Sequence, residues 1–354
     1  MKSLIVIPSL NPDEELINYI HTLVSNNVTK ILVINDGSDS TYDEIFTKIR
    51  EIPECTVLIH EVNQGKGKAL KDALKYYNSQ ELYKKYNGVI TVDADGQHTI
   101  KDVLRIAELM EEYGSALILG ERAFDKDVPF RSRFGNSCTR VLFKALYGIS
   151  VYDTQTGLRG IPNSLVETFS ELKGDRYEYE MNMLMTCSLK KIPINSITIE
   201  TIYLDGNSSS HFNAIKDSAK IYGLLFGTFL KFTFSSLSSS ILDLAIFQLF
   251  IFLFKGAKIG EYILFSTIGA RVISSVYNLM LNKQVVFKSD GKLGNTILKY
   301  YSLCICQMLL SALLVQALYS ITHIYETVIK VVVDTILFFI SFRIQQNWVF
   351  KKKL

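Results

Sequence analysis

After residue 230 the sequence changes into four long apolar runs, near 233–254, 260–281, 297–320 and 328–346. Each approaches the ~20 residues that cross a bilayer core. Four such runs in series rarely occur in a soluble domain, so a helical membrane unit is the expectation. Basic residues orient it. The 282–299 connection holds Lys283, Lys288, Lys292 and Lys299, and the chain closes on Lys351, Lys352 and Lys353. The 255–259 turn has only Lys255 and Lys258, and the 321–327 turn has none. The positive-inside rule then puts the N-terminal part, the middle loop and the C-terminus in the cytoplasm of a multi-pass cell-membrane protein. A strand-like run from Ser3 to Ile7 starts at once, which leaves no room for a cleavable signal peptide before it.

The preceding part reads differently. Short apolar runs at Leu4–Ile7, Ile31–Ile34, Thr56–Ile59, Val89–Val92 and Leu117–Leu119 alternate with helix-like stretches near 13–25, 41–50, 67–78 and 101–112. That alternation predicts an α/β domain with ligands at the carboxyl ends of the strands. The expected division is 1–210 for this domain, 211–230 for an amphipathic juxtamembrane helix and 231–354 for the membrane unit. Residues 231–354 hold 13 Lys and Arg against 5 Asp and Glu, leaving 25 against 30 for residues 1–230. An acidic first part gives no electrostatic reason to expect nucleic acid. The 5 cysteines lack a CxxC spacing and read as reduced, buried thiols.

Three motifs follow predicted strands. Asp93-Ala94-Asp95-Gly96-Gln97 offers two carboxylates that reach one hard cation, with Gln97 as a further oxygen ligand. A plain polar turn is the simpler alternative for this segment. Asn63-Gln64-Gly65-Lys66-Gly67-Lys68 opens a helix, where glycines and lysines suit a diphosphate, although the P-loop spacing is absent. Arg122, and then Arg131 and Arg133, follow the fifth strand and suit a phosphate, against the alternative of a basic surface. Beyond them Phe134, Cys138, Val141, Leu142, Ala145 and Leu146 fall on one helical face, and Phe212, Ile215, Ala219, Tyr222 and Phe226 on another. Both stripes suit helices lying on a membrane surface, and the first could equally pack on the domain core.

Ile7-Pro8-Ser9-Leu10-Asn11, Ile34-Asn35-Asp36-Gly37-Ser38 and the Asp-x-Asp together resemble the family 2 glycosyltransferases with a GT-A (Rossmann-like) fold. The resemblance implies that Asp36 contacts base or ribose, that Pro8, Ser9 and Asn11 line the same pocket, and that Lys66 and Ala94 lie along the donor. It further implies Asp93, Asp95 and Gln97 as the ligands of Mg²⁺ or Mn²⁺. Within the family the chain looks most like the dolichol-phosphate mannose synthases. By that likeness Arg122, Arg133 and Ser137 grip the acceptor lipid phosphate, with Arg131 a near competitor. Thr154–Arg159 and Arg176–Glu180 match later family segments around donor sugar and acceptor. The chain departs from the family at Asn11-Pro12-Asp13-Glu14 and at Asn207-Ser208-Ser209-Ser210-His211, where a basic segment is usual.

Asn282-Lys283-Gln284-Val285-Val286-Phe287-Lys288 closes the second apolar run, and Asn347-Trp348-Val349-Phe350-Lys351 closes the fourth. Two related hairpins follow, and the pair resembles the GtrA-like membrane proteins of four helices. Asp243, Arg271, Asp334 and Arg343 sit in these runs, where a charge costs about 2.5–3.5 kcal/mol at mid-helix and so seeks partners. The whole reading is an α/β GT-A catalytic domain followed by an all-α transmembrane domain of four helices. Its implied reaction is inverting transfer of a sugar from a nucleotide-diphosphate sugar to a polyprenyl (undecaprenyl or dolichyl) phosphate. Asp93, Asp95, Arg122 and Arg133 would be its catalytic groups. A phosphate acceptor is largely dianionic at pH 7 and needs no strong general base. Transfer to a neutral lipid hydroxyl would need one, from Asp153, Glu178 or Glu180. A non-catalytic flippase or scaffold is the third possibility, and homo-oligomerisation is open. A processive polysaccharide synthase is excluded, because the one tryptophan, Trp348, lies outside any Gln-x-x-Arg-Trp motif.

Overall fold

A computed structural model describes residues 1–122, 140–200 apart from 142 and 145, 216–256 and 262–350. Two compact units emerge, Met1–Ile221 and Tyr222–Leu354.

The first unit is built on strands β1 (Leu4–Ser9), β2 (Ile31–Asp36), β3 (Cys55–His60), β4 (Gly88–Thr91), β5 (Leu117–Arg122), β6 (Arg159–Pro162) and β7 (Ile194–Ile199). They form one sheet in the order β3-β2-β1-β4-β6-β5-β7. The pairs β1–β2, β1–β4, β2–β3 and β5–β7 are parallel, whereas β6 runs antiparallel to both β4 and β5. Helices α1 (Glu15–Ser25), α2 (Asp43–Arg50), α3 (Lys66–Ser79) and α4 (Ile100–Glu112) connect the early strands, and α5 (Asn163–Ser170) and α6 (Glu178–Lys190) follow β6. The apolar strand runs are continuous because both faces of the sheet are covered. Ile5, Ile7, Val33, Ile90 and Ile118 pack there with Leu16, Ile20, Phe46, Val103 and Ile106.

All five expected strands are present, and β6 and β7 add to them. Arg-Gly-Ile-Pro carries little strand signal, since glycine and proline both weaken a strand, and its pairing on two sides creates the element. At the start of α4, Thr99 Oγ1 accepts from Asp102 N at 3.2 Å and donates to Asp102 Oδ2 at 2.7 Å. This reciprocal cap fixes the chain that leaves the acid pair. In the 140–147 segment Phe143, Leu146 and Tyr147 are buried and Val141 is exposed. Phe134 and Cys138, and the side chains of the second stripe up to Tyr222, lie outside the described residues.

The second unit holds the rest of α7 (Lys216–Gly256), then α8 (Tyr262–Leu281), α9 (Leu293–Thr322) and α10 (Glu326–Ile344). Phe226–Phe254, Tyr262–Val286 and Leu293–Thr322 are long and apolar enough to cross a membrane. The fourth expected span, α10, is 19 residues long but carries Glu326, Lys330, Asp334 and Arg343. Charges in these helices have partners. Asp243 accepts from Ser274 Oγ at 2.6 Å and lies 3.4 Å from Arg271 Nη2. Asp334 accepts from Ser311 Oγ at 2.5 Å and pairs with Lys330 at 2.9 Å.

The suspected repeat has a structural counterpart. Each hairpin ends in a π-helical turn, Asn282–Val286 and Gln345–Val349. Asn282 Nδ2 donates to Gln345 Oε1 at 3.1 Å across 63 positions. Phe287 stacks on Phe350, ring centroids 5.2 Å apart, at the same offset. Equivalent residues touching each other is the mark of a local two-fold relation between the hairpins. The expectation of buried thiols is corrected: Cys187 is buried, Cys55 is half-buried, and Cys304 and Cys306 are exposed on α9.

Candidate active site

The loops after β1 and β2 are stitched together. Asn11 adopts a left-handed backbone, φ 50°, which asparagine tolerates better than most side chains. Its N–H donates to Ser38 Oγ at 2.9 Å, and its Oδ1 accepts from Asp39 N at 3.0 Å. Asn35 Oδ1 accepts from Ser38 N at 2.8 Å. Gly37, φ 73°, makes the crossing possible, since a Cβ there would come within 2.3 Å of Asn63 N. Pro8 and Ser9 finish β1 beneath this turn. Among the described residues Ser9 Oγ is buried with no hydrogen-bond partner, and the same holds for the hydroxyl of Tyr19 on α1. Burial, with the charges of Asp93, Asp95 and Asp102, pushes the Tyr19 hydroxyl well above the usual phenol range.

Asp36 is buried, and its carboxylate is engaged by its own chain. Oδ1 accepts from Gln64 N at 3.0 Å and lies 2.7 Å from His60 Nδ1, while Oδ2 accepts from Gly65 N at 2.8 Å. Gly65, φ 101°, closes a turn where a Cβ would sit 2.4 Å from Asp175 O. That turn starts α3 and delivers Lys66 to the acid pair. Lys66 Nζ lies 2.7 Å from Asp93 Oδ1 and 2.9 Å from Glu180 Oε1. Burial opposes the charge on Lys66, yet Asp93 and Glu180 outweigh it and raise its pKa.

Asp93 follows β4. Burial works against its charge too, but Lys66 and then His98, 3.3 Å from Oδ2, hold its carboxyl well below the usual range. Asp95 moves the other way, raised by burial and by the charge of Asp93. Its Oδ1 accepts from Gln97 N at 3.1 Å, and Ala94 between the two acids packs toward the core. Two carboxylates that repel, with the Gln97 side-chain oxygen two positions further along the chain, are a donor set that suits a hard divalent cation. Among the described residues no group of three or more His, Cys, Asp or Glu forms a self-sufficient metal cage. Such a cation would therefore need other oxygens, as Mg²⁺ sites take from substrate phosphates.

The acceptor-side prediction meets a different arrangement. Arg122, at the end of β5, donates through Nε to Asp153 Oδ2 at 2.6 Å and through Nη2 to Oδ1 at 3.3 Å. Asp153 is fully buried. The predicted Arg131, Arg133 and Ser137 lie outside the described residues. Residues 153–157 then run from Arg122 back to the acid pair, where an added Cβ on Gly157 would stand 2.2 Å from Asp93 Oδ2. Thr91 Oγ1 donates to Gly157 O at 2.7 Å and Thr156 Oγ1 to Gly120 O, fixing this segment on β4 and β5.

Arg159 is the residue that motif reading undervalued. It is 1% exposed, and its guanidinium donates to Thr156 O at 2.9 Å, Glu180 O at 2.7 Å and Thr154 O at 3.3 Å. Three backbone carbonyls meet on one fork. His60, His98 and Glu180 also join the site. His60 and Glu180 act on Asp36 and Lys66, residues distant in sequence, whereas His98 lies five positions after Asp93.

Residues 4–169 match Glycosyl transferase family 2, and residues 231–350 match the GtrA/DPMS transmembrane domain. The chain is a family 2 glycosyltransferase joined to a GtrA/DPMS membrane domain. The glycosyltransferase is 28% identical to an uncharacterized protein of Methanocaldococcus jannaschii over 226 residues, 62% of this chain and 90% of that one. It is 27% identical over 240 residues to a UDP-N-acetylglucosamine–dolichyl-phosphate N-acetylglucosaminyltransferase of Methanococcus voltae, 62% of this chain and 94% of that one. A dolichyl-phosphate beta-glucosyltransferase of Trichomonas vaginalis is 26% identical over 232 residues, covering 60% and 69%.

Proposed function

We propose that the protein transfers a sugar, with inversion, from a nucleotide-diphosphate sugar to a polyprenyl phosphate at the cytoplasmic membrane face. One observation carries the reading. The 153–157 segment holds Arg122 through Asp153 at one end and lies against Asp93 through Gly157 at the other. A cation-lined acceptor position is thereby coupled to the acid pair that faces the donor. The names of the Methanococcus voltae and Trichomonas vaginalis relatives support a dolichyl-phosphate type of acceptor.

Each side chain has a task in this scheme. Pro8, Ser9 and Asn11 line the nucleoside end, with the unpartnered Ser9 hydroxyl available to it. Asp36 serves the donor through the Gly65 turn that it holds, and Lys66 stands between that turn and the acids. Asp93, Asp95 and Gln97 would hold Mg²⁺ or Mn²⁺, which when bound neutralises the leaving nucleotide diphosphate. Arg122, with Arg131, Arg133 and Ser137, orients the lipid phosphate whose oxygen attacks the anomeric carbon. The new bond forms as the bond to the diphosphate breaks, and positioning supplies the larger part of the rate.

The carboxylates that a neutral hydroxyl acceptor would need as bases are otherwise engaged. Asp153 is buried on Arg122, Glu180 pairs with Lys66, and Glu178 Oε1 accepts from Asp175 N and Arg176 N. This favours an acceptor that arrives as its own anion. In the membrane unit α10 counts as the fourth span, its Asp334 paired with Lys330 and hydrogen-bonded by Ser311, which keeps both termini cytoplasmic. The domain limits expected from the sequence, 1–210, 211–230 and 231–354, belong to the same proposal.

The test is transfer of label to lipid. Membranes holding the full chain receive polyprenyl phosphate, Mg²⁺ or Mn²⁺ and, in turn, labelled UDP-glucose, UDP-N-acetylglucosamine, UDP-galactose or GDP-mannose. An acid-labile labelled lipid, absent with Asp95→Ala, is the expected product. No product with any donor, or equal product from the variant, rejects the proposal.

A further inference from the structure

His60 closes β3 with a carboxylate at each ring nitrogen. Nδ1 lies 2.7 Å from Asp36 Oδ1, and Nε2 lies 3.2 Å from Asp72 Oδ2. The imidazole is 9% exposed, so bulk water is a poor substitute for either contact. A carboxylate oxygen only accepts, so each contact calls for a proton on the nitrogen that faces it.

The two contacts differ in consequence. Asp72 is partly exposed and has lysines of its own helix beside it, Lys68 Nζ at 2.5 Å and Lys75 Nζ at 3.8 Å. Asp36 is buried, and its remaining partners are the N–H groups of Gln64 and Gly65. Those amides form the turn from which Lys66 begins α3 and reaches Asp93. A continuous line of bonds therefore runs from His60 through Asp36 and the Gly65 turn to the acid pair. The turn has little slack, because Gly65 and Gly67 back onto Asp175, Arg176 and Tyr179 at distances that exclude even a methyl group.

We infer that His60 is a positioning residue of the donor site, acting through Nδ1 on Asp36 and hence on the turn that aims Lys66. The Nε2 contact with Asp72 only fastens β3 to α3. The inference rests on the glycosyl-transfer reading, which puts a nucleotide diphosphate beside Lys66 and the acid pair. Holding that turn before the ligand arrives removes an ordering cost from binding.

Two substitutions separate the contacts. The side-chain amide of His60→Asn places its N–H where Nδ1 stood, and that of His60→Gln places it where Nε2 stood. The full chain in detergent is titrated by calorimetry with UDP and with GDP, each with Mn²⁺, and its thermal unfolding is followed in parallel. His60→Asn is expected to bind the preferred nucleotide within about threefold of the wild type, and His60→Gln about tenfold more weakly, as for a lost bond to a charged group. Both variants should unfold at similar temperatures. Equal losses in the two, or losses that track the unfolding temperature, overturn the positioning role while leaving the transferase reading intact. A wild type that binds neither nucleotide overturns the transferase reading, and this inference with it.

Discussion

Gly157 and Asp93 are so close that a Cβ added to the glycine would lie 2.2 Å from Oδ2 of the acid and 2.3 Å from Oδ1. The carboxylate of the first acid of the Asp-x-Asp motif thus lies directly against a residue 64 positions away. Gly157→Ala is expected to displace Asp93 by an ångström or so and to lower kcat/KM by about a hundredfold. Initial rates of lipid labelling against donor concentration read this, and a variant of unchanged rate would show that the carboxylate's place is immaterial.

Arg159 is the second test. Arg159→Lys keeps the charge but cannot cover the carbonyls of Thr154, Thr156 and Glu180 together. Each bond to the buried guanidinium that is lost costs about 1.5–3 kcal/mol, so the unfolding temperature of the first unit should fall by several degrees, with transfer reduced at the growth temperature. Differential scanning calorimetry of the full chain measures it.

Arg122→Lys addresses the acceptor. The lysine retains an ion pair with buried Asp153 but loses the two-pronged fork. The KM for polyprenyl phosphate should rise about tenfold, while UDP or GDP affinity stays within error. A change confined to the nucleotide would move Arg122 to the donor side. Arg122→Ala is a poorer probe, since it strands a buried carboxylate at a cost of about 3–5 kcal/mol.

In the membrane unit, Asn282→Leu and Gln345→Leu each break the bond between the two hairpins. Each should destabilise the unit by about 0.6–2 kcal/mol, the range for hydrogen bonds between membrane helices. The double variant should cost less than the sum, because neither amide is then stranded. Unfolding in mixed detergent micelles, analysed as a double-mutant cycle, gives the coupling.

Much of this was legible in the order of residues. Five strands, the helices between them, the long apolar runs and the acid pair all depend on neighbours a few positions away, and periodicity reports those. The repeat of the Val-Phe-Lys signature likewise points to two hairpins, and the Asn282–Gln345 bond joins them. The short strand β6 was not legible, because Arg-Gly-Ile-Pro becomes a strand only by pairing with β4 and β5.

The site followed the same division. Sequence alone determined which chemistry was present: two carboxylates, an amide oxygen, lysines at a helix start and an arginine at a strand end. Tertiary structure decided who meets whom. Lys66 reaches Asp93 across 27 positions, His60 reaches Asp36 across 24, and Arg122 reaches Asp153 across 31. Those meetings follow from sheet order. Inserting β6 between β4 and β5 carries Gly157 to Asp93 and Arg159 under the loop, and side-chain pairing at that range depends on strand adjacency, which local pattern does not encode.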